Sequence, residues 1–285
     1  MIYVSSSCIQ REKISQILEM YAESGIKNIE LSGGTKYYPK IEEDLLFYKQ
    51  KYNINYACHA YFPPNPQDFV VNLASCNDEI YEKSIAHYMN CIELLKKIDC
   101  SVLSVHAGFY IEILPKQIGK QLTDSIIYNK EEAIGRFCAA YKKIEEMAIK
   151  QGVVVYLENN VLNDSNYRKF HGKNHLMMTD FAGFEELRER IEFNLLLDLG
   201  HLHVSARTLQ KDFQEQCALF LKYVKWIHIS DNNGFVDEHK IVDENSNILK
   251  QLLKYDTNQI PITMETQGEL KEVVRNYQML QEKIK

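Results

Sequence analysis

The sequence predicts a single (β/α)₈ TIM barrel spanning residues 1–285. Two observations carry that expectation. Short apolar runs rich in β-branched residues alternate with longer stretches of helical period along the whole chain, and eight such pairs can be marked out. No G-x-G-x-x-G or G-x-x-x-x-G-K-[ST] loop follows any of the apolar runs. Strand–helix alternation implies a parallel sheet covered by helices, and eight units favour a closed barrel over an open sheet. Without a nucleotide-binding loop the usual reason to prefer an open sheet is gone. A length of 285 residues suits one such domain.

In chain order the expected strands are Ile2–Ser5, Asn28–Leu31, Asn55–His59, Val102–His106, Val153–Glu158, Asn194–Asp198, Tyr223–Ile229 and Ile262–Glu265. Between them, Arg11–Ser24, Ile80–Lys97 and Lys130–Lys150 repeat apolar residues at three- and four-residue steps, as one buried helix face requires. Gly25 and Gly152 close the first and last of these. Two connections are long, Ala107–Asn129 and Asn159–Phe184. Both follow strand ends on the side where barrels carry their sites.

Composition narrows the function classes. The net charge of −6 gives no global attraction to nucleic acid or to an anionic membrane, and no dense Lys/Arg block offsets it. Seven scattered cysteines include no CxxC pair, which fits free thiols in a reducing compartment; a cytoplasmic location is expected. No apolar run approaches the ~20 residues of a membrane span.

The chemistry sits at the strand ends. His59 ends the third strand and His106 the fourth; Glu158 ends the fifth. Asp198 ends the sixth, with His201 three residues on, His228 lies in the seventh, and Glu265 ends the eighth. A parallel barrel brings these ends to one face. A carboxylate at the end of an apolar strand is costly to desolvate unless a cation or water partners it. Convergent carboxylates and imidazoles are what a divalent ion requires.

The runs HAYFPPNPQDFVVNLAS, SVHAGF, YLENN, LLLDLGHLHVSA, HISDNNGFVDEH and METQ resemble the xylose-isomerase-like barrel superfamily. That superfamily holds sugar isomerases, ketose epimerases, inosose-processing enzymes and endonuclease IV. The resemblance covers nearly the whole chain and is nearest to members described as sugar phosphate isomerase/epimerase. It implies a central divalent metal held by Glu158, Asp198, His228 and Glu265, with Glu158 and Glu265 also the acid/base pair and His201 touching the substrate carbonyl or hydroxyl. Mn²⁺, Zn²⁺, Co²⁺, Fe²⁺ and Mg²⁺ all suit such mixed N/O ligands. The implied activity is isomerisation or epimerisation of a small sugar or sugar phosphate.

The alternative implied by the same resemblance is an endonuclease IV-type multi-metal phosphodiesterase acting on abasic DNA. It requires His59, His106, His201, Asp237 and His239 as further ligands, and all those positions are filled. Two departures from that pattern stand out. Asp243-Glu244-Asn245 replaces the frequent Gly-Glu-Gly, and Asp198-Leu199-Gly200-His201 replaces Asp-Thr-Cys-His. A third class, a non-catalytic sugar-binding barrel, would ordinarily have lost central ligands.

Other polar residues receive plainer readings. His87 is expected to be a surface or packing histidine, His203 structural, His171 and His175 solvated, Lys36 a surface lysine and Trp226 barrel packing. Glu30, toward the end of the second strand in NIELSGG and expected to point at the same mouth, is expected to form a loop salt bridge.

Overall fold

Eight parallel strands close on themselves in chain order in the computed structural model, which describes residues 1–67, 69–117, 120–122 and 125–284. They are β1 (Ile2–Ser5), β2 (Asn28–Leu31), β3 (Asn55–Cys58), β4 (Val102–His106), β5 (Val154–Glu158), β6 (Asn194–Asp198), β7 (Val224–Ile229) and β8 (Ile262–Met264). The ring closes where β1 pairs β8, Ile2 opposite Ile262 and Val4 opposite Met264. The expected strands agree with these to within a residue at either end.

Alternation along each strand sorts its side chains between two cores. Ile2 and Val4 join the layer between sheet and helices, whereas Tyr3 turns inward to pack with Ala57, Leu196 and Trp226. Trp226 therefore fills the barrel, as expected. The helices α1 (Ile14–Glu23), α2 (Ile41–Tyr52), α3 (Asp78–Lys97) and α4 (Lys130–Lys150) cover the first half. The second half carries α5 (Asp164–Lys169), α6 (Phe181–Arg188), α7 (Leu199–Thr208), α8 (Phe213–Phe220), α9 (Asn247–Leu252) and α10 (Leu270–Lys283). Asn77 and Asn129 cap α3 and α4 by accepting from backbone N–H groups of the first turn. Gly25, at φ +83°, turns the chain out of α1 in the left-handed region that glycine enters without strain. No helix among the described residues is long and apolar enough to cross a membrane.

The connection after β5, expected to be long, carries structure of its own. It folds into α5 and the start of α6, capped by Asn163 and Asp180, signals that a search for apolar periodicity passes over in so short a helix. It is also stitched to the connection after β4. Tyr110 N donates to His175 O at 2.7 Å, and the Asn160 side-chain amide donates to the carbonyls of Ala107, Gly108 and Met177 at 2.9–3.0 Å. Phe109, Ile111, Val70 and Leu122 form a separate apolar cluster within this wall.

Candidate metal centre

Four strands deliver the central group. Glu158 ends β5, Asp198 ends β6, His228 is the fifth residue of β7, and Glu265 follows β8 directly. Pairing fixes their heights: His106 lies beside Glu158, and Asp198 beside His228. Glu158, Asp198, His228 and Glu265 each offer a ligand atom within 4.8 Å of every other. All four are buried, three of them at 0% exposure, so water does not solvate these charges from the bulk. His228 Nδ1 stands 3.4 Å from Glu158 Oε1 and 3.4 Å from Glu265 Oε2.

Three atoms of this group, Glu158 Oε1, Asp198 Oδ2 and His228 Nδ1, are buried without a hydrogen-bond partner. Leaving such atoms unpaired is costly, and a cation at the point on which they converge would pair all three. Three carboxylates and one imidazole form a mixed oxygen and nitrogen set that fits a divalent ion.

The electrostatics point the same way. Burial, with Glu158, Asp237 and Glu265 nearby, pushes the Asp198 carboxyl up to about 6 although His201 pulls it down. Burial opposes the charge on Glu158 as well, but His106, His59 and His228 together hold it well below the ordinary carboxylate range. Glu265 is likewise opposed by burial and brought down to about 2, chiefly by His228. Burial drops His106 to about 4, so its imidazole is neutral at pH 7.

Two imidazole–carboxylate groups flank the centre. His59 Nε2 lies 2.7 Å and His106 Nδ1 3.4 Å from Glu158 Oε2. On the other side, Asp237 Oδ2 lies 3.3 Å from His201 Nε2 and 3.0 Å from His239 Nε2. His201 is oriented by its other nitrogen, Nδ1, which donates to Asn159 O at 2.8 Å. His239, at φ +47°, is tied to β8 through Nδ1 and the Glu265 carbonyl at 3.1 Å. The structure thus brings His59, His106, His201, Asp237 and His239 to the same mouth as the central four.

A sequence profile described as xylose isomerase-like TIM barrel matches residues 18–283. The chain belongs to that family. An uncharacterised protein of Methanocaldococcus jannaschii is 25% identical over 256 residues, 88% of this chain and 78% of that protein. Among solved structures, a D-tagatose 3-epimerase-like protein superposes with a TM-score of 0.74 at 21% identity, covering 99% of this chain and 96% of its own. Endonuclease IV from Thermus thermophilus superposes at 0.62 with 15% identity, covering 99% and 98%. These likenesses establish the shared barrel.

Within this xylose isomerase-like barrel, one expectation needs correction. Glu30 forms no loop salt bridge: it is 1% exposed and faces the barrel interior, where its Oε1 lies 3.1 Å from His228 Nε2. Its flanking residues Ile29 and Leu31 face the helices, so alternation sends Glu30 inward. The signal was present, since both faces of a closed parallel barrel are buried and a carboxylate in mid-strand needs a partner there. Asn159 was also passed over. Its Oδ1 accepts from Asp198 N at 2.7 Å and its amide donates to Asp198 O at 3.1 Å, locking the ends of β5 and β6 together.

The plainer readings fare better. His87 is buried in α3 against Ala60 O, and His203 Nδ1 meets Asn232 Oδ1 at 2.8 Å; both are structural contacts. Lys36 is exposed and paired with Glu12. His171 is exposed, but His175 is half-buried with its ring against Phe170.

Proposed function

We propose that this protein is a divalent-metal-dependent isomerase or epimerase of a small sugar or sugar phosphate. The observation that carries the reading is the placement of two buried carboxylates, Glu158 and Glu265, each 3.4 Å from His228 Nδ1. A bound Mn²⁺, Zn²⁺, Co²⁺, Fe²⁺ or Mg²⁺ would supply Lewis acidity toward a carbonyl. Glu158, Asp198, His228 and Glu265 would hold it.

The chain's own groups account for the proton movements. Both glutamates are held as carboxylates at neutral pH, the form a base must have. One takes the proton from the carbon beside the carbonyl, and the C–H electron pair moves onto the carbonyl oxygen. The opposing carboxylate takes up a proton from solvent and delivers it to the other face of that carbon as the electron pair returns from oxygen, which inverts the centre, while the first glutamate releases its proton to solvent. Delivery to the former carbonyl carbon instead, with the hydroxyl proton passing to the old carbonyl oxygen, moves the carbonyl. His201 Nε2 faces the mouth with Nδ1 committed to Asn159, so it presents one fixed atom to a substrate oxygen. The epimerase-like solved neighbour and the acidic chain favour a small polyol over a DNA duplex.

A second reading, multi-metal phosphodiester hydrolysis, is favoured by one specific observation. The flanking sets His59–His106–Glu158 and His201–Asp237–His239 have the composition of further ion sites. One experiment separates the two. The metal-loaded protein is incubated in D₂O with a panel of ketoses and their phosphates, and separately with an abasic duplex. Deuterium incorporated beside the carbonyl, with the duplex intact, is the expected result. Metal-dependent strand cleavage that is lost in Glu265→Gln, without any sugar exchange, would reverse the ranking.

A further inference from the structure

Below the central carboxylates the barrel interior is polar at a level where a TIM-barrel core is ordinarily filled by branched aliphatic side chains. Glu30, Ser104 and Thr263 meet there, from β2, β4 and β8, three even-numbered strands whose inward side chains share a layer. Thr263 Oγ1 accepts from Trp226 Nε1 at 2.9 Å. An indole N–H can only donate, so the threonine keeps its own hydrogen for Glu30 Oε2, to which it donates. Ser104 Oγ lies 3.3 Å from both Glu30 Oε1 and the Cys58 carbonyl and shares its single hydrogen between them. Glu30 is therefore surrounded by donors and held as an acceptor.

The remaining partner of Glu30 Oε1 is His228 Nε2, at 3.1 Å. With the carboxylate as acceptor, Nε2 carries the hydrogen. The lone pair of the neutral ring is then on Nδ1, the atom that faces Glu158 and Glu265 and has no hydrogen-bond partner. Trp226 anchors the series, because its ring is packed between Tyr3 and Tyr156 inside the barrel at centroid distances of 5.1 and 5.4 Å.

We infer that Glu30 is the positioning residue of the metal centre: held by Thr263 and Ser104, it fixes the tautomer and ring angle of His228 so that Nδ1 is the ligand atom. The inference rests on the metal reading of the central four residues, and it adds a residue from β2 to that centre. A carboxylate behind a ligating imidazole also raises the basicity of the ligand, and loss of such a partner typically costs about 10–100-fold in metal affinity.

The test is zinc binding by the full chain after dialysis against chelator, measured by calorimetry in Glu30→Gln, Thr263→Val and Asp198→Asn. Glu30→Gln preserves shape and removes the charge; it is expected to weaken zinc about 10–100-fold. Thr263→Val leaves Glu30 in place but removes its donor, and a smaller loss in the same direction is expected even if Glu30→Gln proves unfolded. In the zinc-loaded protein, the ¹⁵N-detected Nε2–H signal of His228 should shift in both variants, a change that a purely structural Glu30 would not produce. Zinc affinity within about twofold of wild type in both variants, with Asp198→Asn losing zinc, overturns the role of Glu30. Wild-type zinc affinity in Asp198→Asn overturns the metal reading itself, and this inference with it.

Discussion

His59 Nε2 lies 2.7 Å from Glu158 Oε2, while Glu158 Oε1 faces His228 Nδ1 at 3.4 Å and has no hydrogen-bond partner. One carboxylate therefore belongs to two groups of side chains, with one oxygen committed to each. Glu158→Gln replaces one of these oxygens by an N–H₂ that neither balances a cation nor accepts a proton. The expected outcome is loss of turnover by about 10²–10⁴-fold together with weaker metal binding. Wild-type turnover in this variant would remove Glu158 from the acid/base role.

His201 separates the one-ion and multi-ion readings. His201→Asn retains a donor for the Asn159 carbonyl and removes the Nε2 atom that faces Asp237 and the mouth. As a substrate contact, the loss should lower kcat by roughly 10²-fold or more while metal stoichiometry stays the same. A fall in the number of bound ions, measured by elemental analysis, would instead make His201 a ligand.

Gly200 is one of two positions, with Leu199, at which this chain departs from the Asp-Thr-Cys-His pattern, and the structure supplies a reason for the glycine. A Cβ at residue 200 would come within 2.9 Å of Ser230 Oγ and 3.2 Å of Asp198 Oδ1. Ser230 is fully buried and has little room to withdraw. Gly200→Ala should therefore displace the Asp198 carboxylate, weaken metal binding, and destabilise the fold by about 1–3 kcal/mol, the usual cost of overpacking. Calorimetric titration with metal and thermal unfolding read the two effects separately.

His87 carries a pH dependence independent of the mouth. Burial lowers its pKa, opposed by the bond to Ala60 O, and Asn65 Nδ2 approaches Nδ1 at 3.1 Å as a donor to the neutral ring. As pH falls, the unfolded chain protonates first, at about 6.5, and stability declines from there toward the lower folded-state value. Above that pH the contribution is fully present. In His87→Gln the decline in stability between about pH 7.5 and 5.5 should be smaller than in wild type, measured by urea unfolding at each pH. An unchanged decline would show that His87 does not contribute.

Much of this molecule is legible in its sequence because strand ends in a parallel barrel share one face. Glu158, Asp198, His228 and Glu265 each end or nearly end an apolar run, so topology alone places them together. His59 and His106 follow from the same logic. Asp237 and His239 do not, since a loop sets their positions; the bond from His239 to the Glu265 carbonyl, which pins that loop, has no sequence signature. Glu30 was misjudged because it was treated as a strand end, when strand alternation puts it under His228. The helix within the connection after β5 is not legible because α5 is six residues long and has no fully buried residue, leaving only its Asn163 cap as a signal.

Everything proposed for this chain depends on Glu158, Asp198, His228 and Glu265 holding a divalent ion. Equilibrium dialysis of the chelator-treated protein against Zn²⁺ or Mn²⁺, with elemental analysis of wild type and Asp198→Asn, tests it most directly. About one tightly held ion per chain is expected in wild type, and its loss from the tightly held state in Asp198→Asn, where a neutral amide oxygen replaces a charged ligand. No tightly bound ion in wild type, or equal binding in the two proteins, would contradict it.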